Sequence, residues 1–334
     1  MTASLHPVRG EPLDVLALLR DWVEGDGSPL VMRTSGSTGE PKDVVLSREA
    51  MVASATASLR RLGGPGGWLL PLPVTGVGGL QVLLRSILAG TTPTVDSRLD
   101  AGLVEAERRY VSIVPTQLHR LEQAGRLGDL AGFDAVLVGG AATDPQLLRR
   151  ATEAGVTIVR TYGMTETCGG CVYDGVPLDD VRMRIADDGQ VELAGPVLFD
   201  GYSDPVATAA VLRDGWFRTG DLGEIADGVL SVIGRVDDVV QSGGVKVPLP
   251  AVTAALKQLP GVHDAVALGR PDPEWGTQVV AFVVAERDLS HVRDELEAAG
   301  LDRRWAPREV VTLGRLPLLA NGKVDRRHLL DRLS

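Results

Sequence analysis

The chain has 334 residues, 44% of them hydrophobic, and a formal net charge of −10. This length fits two domains better than one, and the apolar content suffices for a sizeable core. The negative charge argues against nucleic acid as a main partner. No apolar run reaches the roughly 18 residues of a membrane span, and residues 1–12 lack the apolar core of a signal peptide. We therefore expect a cytoplasmic protein without membrane insertion.

Valine-rich apolar segments alternate with segments of helical spacing through the first half of the chain. The predicted buried strands are residues 30–32, 68–70, 92–95, 111–114, 135–138 and 157–159. The predicted helices are residues 48–62, 80–89, 101–109, 117–124 and 145–154. Alternation of this kind predicts an α/β fold with a mostly parallel, helix-covered sheet.

The pattern changes after residue 181. Short apolar segments at 191–193 and 229–233, next to Asp-Gly turns, predict a β-rich section of antiparallel strands. Beyond it, helices at 251–258 and 292–299 and strands at 265–268, 279–284 and 310–312 predict a small α+β domain of ordinary size. We place the boundary at Asp237, which gives an N-terminal domain of residues 1–236 and a C-terminal domain of residues 237–334.

Residues 34–42, TSGSTGEPK, have the composition of a phosphate-binding loop. Glycines let backbone amides approach a phosphate, and hydroxyls and a lysine add donors and charge. The residues concerned are Thr34, Ser35, Gly36, Ser37, Thr38, Gly39 and Lys42. The segment is not a Walker P-loop, because Glu40 and Pro41 separate Gly39 from Lys42. A flexible Ser/Gly linker is the alternative for this segment taken alone.

The two cysteines, Cys168 and Cys171, have a CxxC spacing. A redox pair or half of a zinc site has this spacing, but a zinc site needs about four ligands. The sequence contains no other cysteine, and its five histidines show no paired spacing. We therefore favour the interpretation that the two cysteines are small side chains that line a pocket.

Five segments resemble, in the same order, the motifs of the adenylate-forming enzymes, a superfamily that includes acyl-CoA ligases, peptide-synthetase adenylation domains and luciferases. They are residues 34–42, TYGMTET at 161–167, GWFRTGDLG at 215–223, GRVDDVVQSGGVKV at 234–247, and PLLANGKVDRRHL at 317–329. The resemblance runs from about residue 31 to the C-terminus. It implies two steps: a carboxylate attacks the α-phosphate of ATP and expels pyrophosphate, and the thiol of coenzyme A then attacks the acyl-adenylate.

The resemblance also implies residue roles. Residues 34–42 would hold the β- and γ-phosphates, Thr165 would hydrogen-bond the α-phosphate, and Glu166 would bind Mg²⁺. Asp221 and Arg235 would contact the ribose. The remaining ATP-binding residues would be Gly139, Gly140, Ala141 and Tyr162, which would lie at the adenine, and Gly163.

In the same family the C-terminal domain rotates between the two steps, and Asp237 matches the hinge. Lys323 matches the catalytic lysine presented in the first step, whose charge suits the α-phosphate. Gly243 and Gly244 match the segment where coenzyme A enters in the second step. Family members carry a longer region before the phosphate loop than the 33 residues here, so we expect a homodimer to cover the surfaces concerned.

The segments CGGCVYDGVPLDDVRMRI at 168–185 and VLVGGAA at 136–142 resemble the short o-succinylbenzoate–CoA ligases of menaquinone biosynthesis in high-GC bacteria. This resemblance implies an aromatic carboxylic acid as substrate, with Gly169 and Gly170 leaving room for its ring. Other acyl-pocket candidates are Thr75, Thr116 and Tyr173, with Arg160 or Arg182 as a source of charge. Relatives carry a histidine in the turn where this chain has Thr75.

Three alternatives remain open at this point. The chain is another aryl- or medium-chain acyl-CoA ligase, a stand-alone adenylation module that loads a carrier protein, or a nucleotide-binding regulator without turnover. The 334 residues include no segment that we interpret as a carrier domain, and both Glu166 and Lys323 are present.

Overall fold

The computed structural model describes residues 3–25, 28–34, 42–285, 288, 290–318 and 324–333, and at Asp237 the backbone alone. The chain divides into two compact units. The first comprises Met1–Ala186, Val191–Thr219 and Ile225–Ser231, and the second Asp187–Gln190, Gly220–Glu224 and Val232–Ser334. Within the described residues, no helix has the length and apolarity needed to cross a membrane.

The secondary-structure elements follow in chain order. The helices are α1 (Pro12–Glu24), α2 (Arg48–Arg61), α3 (Val77–Leu88), α4 (Pro115–Gln123), α5 (Pro145–Glu153), α6 (Pro205–Val211), α7 (Leu249–Lys257), α8 (Val292–Ala298) and α9 (Arg326–Asp331). The strands up to the end of the main sheet are β1 (Ser4–Leu5), β2 (Val8–Arg9), β3 (Leu30–Thr34), β4 (Lys42–Leu46), β5 (Gly67–Leu70), β6 (Thr94–Val95), β7 (Arg109–Ile113), β8 (Ala135–Gly139), β9 (Ile158–Met164), β10 (Gly169–Tyr173) and β11 (Val176–Pro177). The later strands are β12 (Arg182–Ile185), β13 (Gln190–Ala194), β14 (Gly201–Tyr202), β15 (Leu212–Arg213), β16 (Trp216–Ala226), β17 (Val229–Arg235), β18 (Val239–Ser242), β19 (Val245–Pro248), β20 (Val262–Asp272), β21 (Gly276–Ala285) and β22 (Glu309–Thr312).

The main sheet of the first unit has the described strand order β11-β10-β9-β8-β7-β5-β6. Strands β5 to β9 pair in parallel, and β10 returns antiparallel to β9. Side chains alternate between its two faces, so that on β8 Leu137 joins one hydrophobic cluster and Val136 joins the other. Helices α2 and α3 pack on the first face, and α4 and α5 on the second. The predicted α/β fold with a parallel, helix-covered sheet is confirmed.

Local chemistry explains where several helices begin. Ser47 Oγ accepts a hydrogen bond from the backbone N–H of Ala50, which caps α2. Asp144 caps α5 in the same way through the N–H of Gln146, and Pro145 follows at the first helical position. These caps are readable in the sequence, and both helices lie within one residue of their predicted bounds.

Two expectations need correction, and one helix was missed. The predicted helix at 101–109 is wrong: only Ala101–Leu103 form a 3₁₀ turn, and β7 begins at Arg109. Val104 is buried in the second hydrophobic cluster, so packing overrides the local helix preference. The segment at 30–32 lies in a separate antiparallel sheet of order β14-β4-β3, and helix α1 was not predicted.

The remaining sheets are largely antiparallel. One has the order β12-β13-β16-β15 with β17 beside β16, and the pairs β12–β13 and β15–β16 are antiparallel. In the second unit the order is β19-β18-β21-β20, with β22 parallel to β21. One face of that sheet packs against Leu256 of α7 and Leu296 of α8, and the other packs against Leu329 of α9.

Candidate active site

The carboxyl ends of β5, β7, β8 and β9 meet at one edge of the main sheet, where parallel sheets commonly bind ligands. Many predicted site residues of the first unit follow these strands directly. They are Thr75 between β5 and α3, Thr116 in the first turn of α4, Gly139, Gly140 and Ala141 at the end of β8, and Thr165 and Glu166 after β9. The fold therefore brings the predicted adenine, α-phosphate and acyl-pocket residues to one edge.

Glu166 lies in a 3₁₀ turn, Thr165–Thr167, that begins where β9 ends. Thr167 Oγ1 accepts a hydrogen bond from Met164 N at 2.9 Å, and Cys168 ends the turn in a left-handed conformation at φ 51°. The Glu166 carbonyl accepts from Phe199 N at 2.9 Å. Its carboxylate Oε1 accepts from the Tyr202 hydroxyl at 2.8 Å. Glu166 is thus held by hydrogen bonds at its backbone carbonyl and at one carboxylate oxygen.

The donor set fits Mg²⁺ carried by a nucleotide. Magnesium prefers oxygen ligands and is commonly held by one or two carboxylates together with substrate phosphates. Across the part of the chain that the structure describes, no three His, Cys, Asp or Glu side chains converge on a possible metal position. A single carboxylate fits such an ion when the phosphates of the nucleotide supply further oxygen ligands.

The two ends of the predicted phosphate loop are paired. Thr34 lies opposite Lys42 in the β3–β4 hairpin, and Thr34 Oγ1 donates to the Lys42 carbonyl at 3.4 Å. Lys42 Nζ lies 4.9 Å from the centroid of the Tyr202 ring. The loop residues Ser35, Gly36, Ser37, Thr38 and Gly39 lie outside the described residues. The hairpin therefore fixes where the loop begins and ends.

Close packing explains the glycine at the end of β8. A Cβ on Gly139 would approach Thr161 Oγ1 to 2.2 Å, so no larger residue fits unless the Thr161 side chain moves. Tyr162 on β9 is partly buried and packs against the hydrophobic cluster of the α2–α3 face, with Gly163 following it in the same strand. The adenine contact of Tyr162 and the nucleotide contact of Gly163 stay predictions.

The predicted ribose pair is in contact within the second unit. Arg235 Nη1 donates to Asp221 Oδ1 at 3.0 Å, and the Asp221 side chain is 11% exposed against 41% for Arg235. A carboxylate in this position can accept hydrogen bonds from two ribose hydroxyls while a cation neutralises it.

The CoA-entry and hinge residues occupy turns of the second unit. Gly243 and Gly244 form the turn between β18 and β19, and a Cβ on Gly243 would approach the Trp275 ring to 2.6 Å. Arg308 Cζ lies 3.3 Å from the centroid of the same ring. The Asp237 backbone lies in the 3₁₀ turn Val236–Asp238. Lys323 lies outside the described residues.

The acyl-pocket candidates on β10 have close neighbours. A Cβ on Gly169, whose φ is +101°, would lie 3.2 Å from Gln81 Cγ, and one on Gly170 would lie 3.0 Å from Thr161 Cβ. The prediction that these glycines leave room for a ring stays a prediction. The buried Tyr173 hydroxyl lies 2.7 Å from Ser58 Oγ.

The two arginines proposed as sources of charge are engaged elsewhere. Arg160 is exposed and pairs with Asp174 at 3.1 Å. Arg182 stacks on Trp216, with its guanidinium carbon 5.2 Å from the ring centroid. Both side chains are exposed, so neither supplies a buried charge.

The prediction that the cysteines line a pocket is wrong. Cys168 and Cys171 are fully buried in the hydrophobic cluster of the α2–α3 face. Burial raises the pKa of both thiols, to about 12 for Cys171, where a hydrogen bond from Thr167 partly opposes the effect. The Cys168 carbonyl accepts from Ser54 Oγ at 2.9 Å and from Gln81 Nε2 at 2.8 Å. These cysteines are core residues.

Sequence reasoning missed Arg85, a guanidinium buried on α3 and 4% exposed. Its Cζ stacks 4.7 Å from the Trp68 ring centroid, and Nη1 donates to Ser112 Oγ at 3.4 Å. Burial lowers the pKa of Arg85, and Tyr173 acts in the opposite direction. Within the described residues no carboxylate pairs with it. The signal was an arginine enclosed by leucines and isoleucine in LLRSIL, residues 83–88.

Three buried polar atoms around Arg85 have no hydrogen-bond partner among the described residues: Arg85 Nε, Trp68 Nε1 and Gln81 Oε1. Trp68 stacks on Arg85, and Gln81 lies one helical turn before it. Buried polar groups are nearly always paired. Arg85 Nε, Trp68 Nε1 and Gln81 Oε1 are exceptions to this rule within the described residues.

Comparison with known proteins agrees with this arrangement. Residues 18–202 match the family model described as AMP-binding enzyme, and residues 251–323 match its C-terminal domain. A probable 2-succinylbenzoate–CoA ligase of Mycobacterium tuberculosis is 42% identical over 92% of this chain and 85% of its own. The 2-succinylbenzoate–CoA ligase of Listeria monocytogenes is 31% identical over 95% of this chain and 73% of its own.

Solved structures are similar as well. The o-succinylbenzoate CoA synthetase of Bacillus subtilis, in complex with its acyl-adenylate intermediate, is 28% identical and has a TM-score of 0.77 over 90% of this chain and 68% of its own. The same protein has been solved with ATP and magnesium. With this fold and this sheet edge, the chain is an adenylate-forming enzyme. It belongs to the AMP-binding enzyme family, as the resemblance of its motifs implied.

Proposed function

We propose that the chain is an AMP-forming o-succinylbenzoate–CoA ligase. It joins the succinyl carboxylate of the acid to AMP, releases pyrophosphate, and then transfers the acyl group to the thiol of coenzyme A with release of AMP. The names of its relatives support this acid. The single observation in the structure that favours it is the buried Arg85, which has no carboxylate partner within the described residues.

The charge of Arg85 selects the class of acid. o-Succinylbenzoate has two carboxylates, and activation of one leaves the other ionised. A buried charge without a partner is costly, so the free carboxylate and the Arg85 guanidinium each provide the opposite charge that the other needs. Arg85 reaches from α3 to Trp68 of β5 and Ser112 of β7.

The other residues position the nucleotide. Residues 34–42 hold the β- and γ-phosphates, Thr165 donates to the α-phosphate, and the Asp221–Arg235 pair binds the ribose. Mg²⁺, when bound at Glu166, supplies positive charge to the phosphate oxygens. Lys323 stabilises the charge that develops at the α-phosphate. The C-terminal domain then rotates about Asp237, and the Gly243–Gly244 segment replaces Lys323 at the site. Positioning and charge stabilisation are the main requirements of this chemistry.

We also propose a homodimer in the cytoplasm that does not bind nucleic acid. Leu13 and Leu18 of α1 are exposed, at 56% and 36%, and are candidate contact residues in such a dimer. Sedimentation equilibrium tests this directly: a concentration-independent monomer mass would contradict the dimer. A duplex-DNA titration at low salt tests the absence of nucleic-acid binding.

Pyrophosphate release, measured with and without coenzyme A for a panel of acids, tests the proposed reaction. We expect release with o-succinylbenzoate and the formation of o-succinylbenzoyl-CoA by mass spectrometry. Equal turnover of indoleacetate or a fatty acid would instead indicate a different acyl-CoA ligase. Adenylation without any thioester of coenzyme A would indicate a carrier-loading module, and ATP binding without turnover would indicate a regulator.

A further inference from the structure

The Tyr202 side chain contacts two predicted elements of the ATP site within the first unit. Its hydroxyl donates to Glu166 Oε1 at 2.8 Å, and its ring lies under Lys42 Nζ at 4.9 Å. We propose that Tyr202 is a positioning residue that holds the magnesium-binding carboxylate and the basic end of the phosphate loop in one fixed geometry for adenylation. This inference rests on the proposed function of the site.

Tyr202 is itself held from several sides. Strand β14 pairs with β4, so that Tyr202 lies opposite Val44, two residues after Lys42. Tyr202 N donates to Thr208 Oγ1 at 2.8 Å. The Phe199 ring packs edge-on against it, with centroids 5.1 Å apart and planes at 68°. A side chain fixed at backbone and ring can transmit its position to the groups that it contacts.

The hydroxyl and the ring have separable effects. In the described part of the chain, the Tyr202 hydroxyl reaches only the Glu166 carboxylate, to which it donates at 2.8 Å, and the ring faces Lys42. Its hydrogen bond occupies Oε1 and leaves Oε2 of Glu166 without a partner among the described residues. The ring attracts the Lys42 ammonium through a cation–π interaction. Phenylalanine removes the first contact alone, whereas leucine removes both.

Magnesium dependence distinguishes this role from a merely structural one. For Tyr202→Phe we expect the Mg²⁺ concentration that half-activates ATP–pyrophosphate exchange to rise about tenfold or more, the scale of one hydrogen bond to a charged group. Saturating Mg²⁺ should largely restore kcat, with KM for the acid unchanged. Tyr202→Leu should in addition raise KM for ATP, because Lys42 loses its support. Tyr110→Phe is the matched control, since the Tyr110 hydroxyl donates to Leu62 O at 3.0 Å.

A binding measurement without catalysis separates this inference from the proposed function. Calorimetry with α,β-methylene-ATP, with and without Mg²⁺ and in the absence of any acid, should show that Tyr202→Phe loses most of the Mg²⁺ enhancement and retains the Mg²⁺-free affinity. Retained Mg²⁺-free binding also shows that the variant is folded. Wild-type Mg²⁺ dependence of both binding and exchange in Tyr202→Phe would overturn the inference. If Tyr202→Phe shows the expected calorimetric change but the wild-type protein does not turn over o-succinylbenzoate, the inference is supported and the proposed function is rejected.

Discussion

Arg235 donates from Nη1 to Oδ1 of Asp221 across 3.0 Å, and Asp221 is the more buried partner. The two residues come from the separate segments GWFRTGDLG and GRVDDVVQSGGVKV. Their contact shows that two motifs which are apart in the sequence form one charged pair, and a ribose bound by Asp221 would therefore depend on Arg235 as well.

Asp221→Asn should weaken ATP binding. The substitution removes the negative charge but keeps the shape, so KM for ATP should rise about tenfold or more while KM for the acid stays constant. Steady-state kinetics with varied ATP measures this change. Asp227→Asn, in the exposed turn between β16 and β17, is the control, because asparagine tolerates its left-handed conformation. An unchanged KM for ATP in Asp221→Asn would remove Asp221 from the ribose site.

Glu166→Ala should reduce acid-dependent ATP–pyrophosphate exchange by about 10²–10³-fold, because the Mg²⁺ ion that neutralises the phosphates loses its carboxylate ligand. Isotope exchange at ordinary Mg²⁺ concentrations is the measurement. Glu192→Ala, on β13 and paired with Arg184, provides a carboxylate control in the same unit. Exchange at the wild-type rate in Glu166→Ala would contradict the magnesium assignment.

The two half-reactions should respond to different substitutions. Lys323→Ala should lose adenylation by about 10²–10³-fold and still convert supplied acyl-adenylate to acyl-CoA. Asp237→Pro should show the reverse, because proline fixes φ at the hinge. Single-turnover assays of each half-reaction make the comparison. Equal losses in both half-reactions for both variants would argue against rotation about Asp237.

The cysteines should be unreactive in the folded protein. With a pKa of about 12, the Cys171 thiol has a thiolate fraction of about 10⁻⁴ at pH 8. Burial also raises the pKa of the Cys168 thiol, which lowers its thiolate fraction. A thiol reagent such as DTNB should therefore react with neither at pH 8, and with both in urea. Rapid reaction of native protein would restore the redox interpretation of CxxC.

The sequence predicted most of what depends on local pattern. Ser47 and Asp144 mark helix starts by their capping chemistry, and alternation of strands and helices gave the parallel sheet. Glu166 and Asp221 were identified by resemblance to motifs, and the structure shows the contacts of both. What could not be predicted depends on tertiary packing: the extended course of the chain after Leu103, and the close approach of Gln81 to Gly169.

Arg85 shows the same limit most clearly. An arginine within a helix is normally exposed, and only the fold reveals that this one is buried against Trp68. Its unmatched charge, the basis for the choice of acid, arises from residues that are distant in the sequence.

The central claim is tested by comparing o-succinylbenzoate with 4-oxo-4-phenylbutanoate, which lacks the ring carboxylate and keeps the one to be activated. The account predicts that wild-type kcat/KM for o-succinylbenzoate is higher by about 10²–10⁴-fold, the cost of leaving one partner of a buried pair alone. Arg85→Met should abolish most of this preference, while Arg98→Met, at an exposed arginine paired with Asp96, should preserve it. Equal kcat/KM for the two acids in the wild type, or an unchanged preference in a folded Arg85→Met variant, would contradict the account.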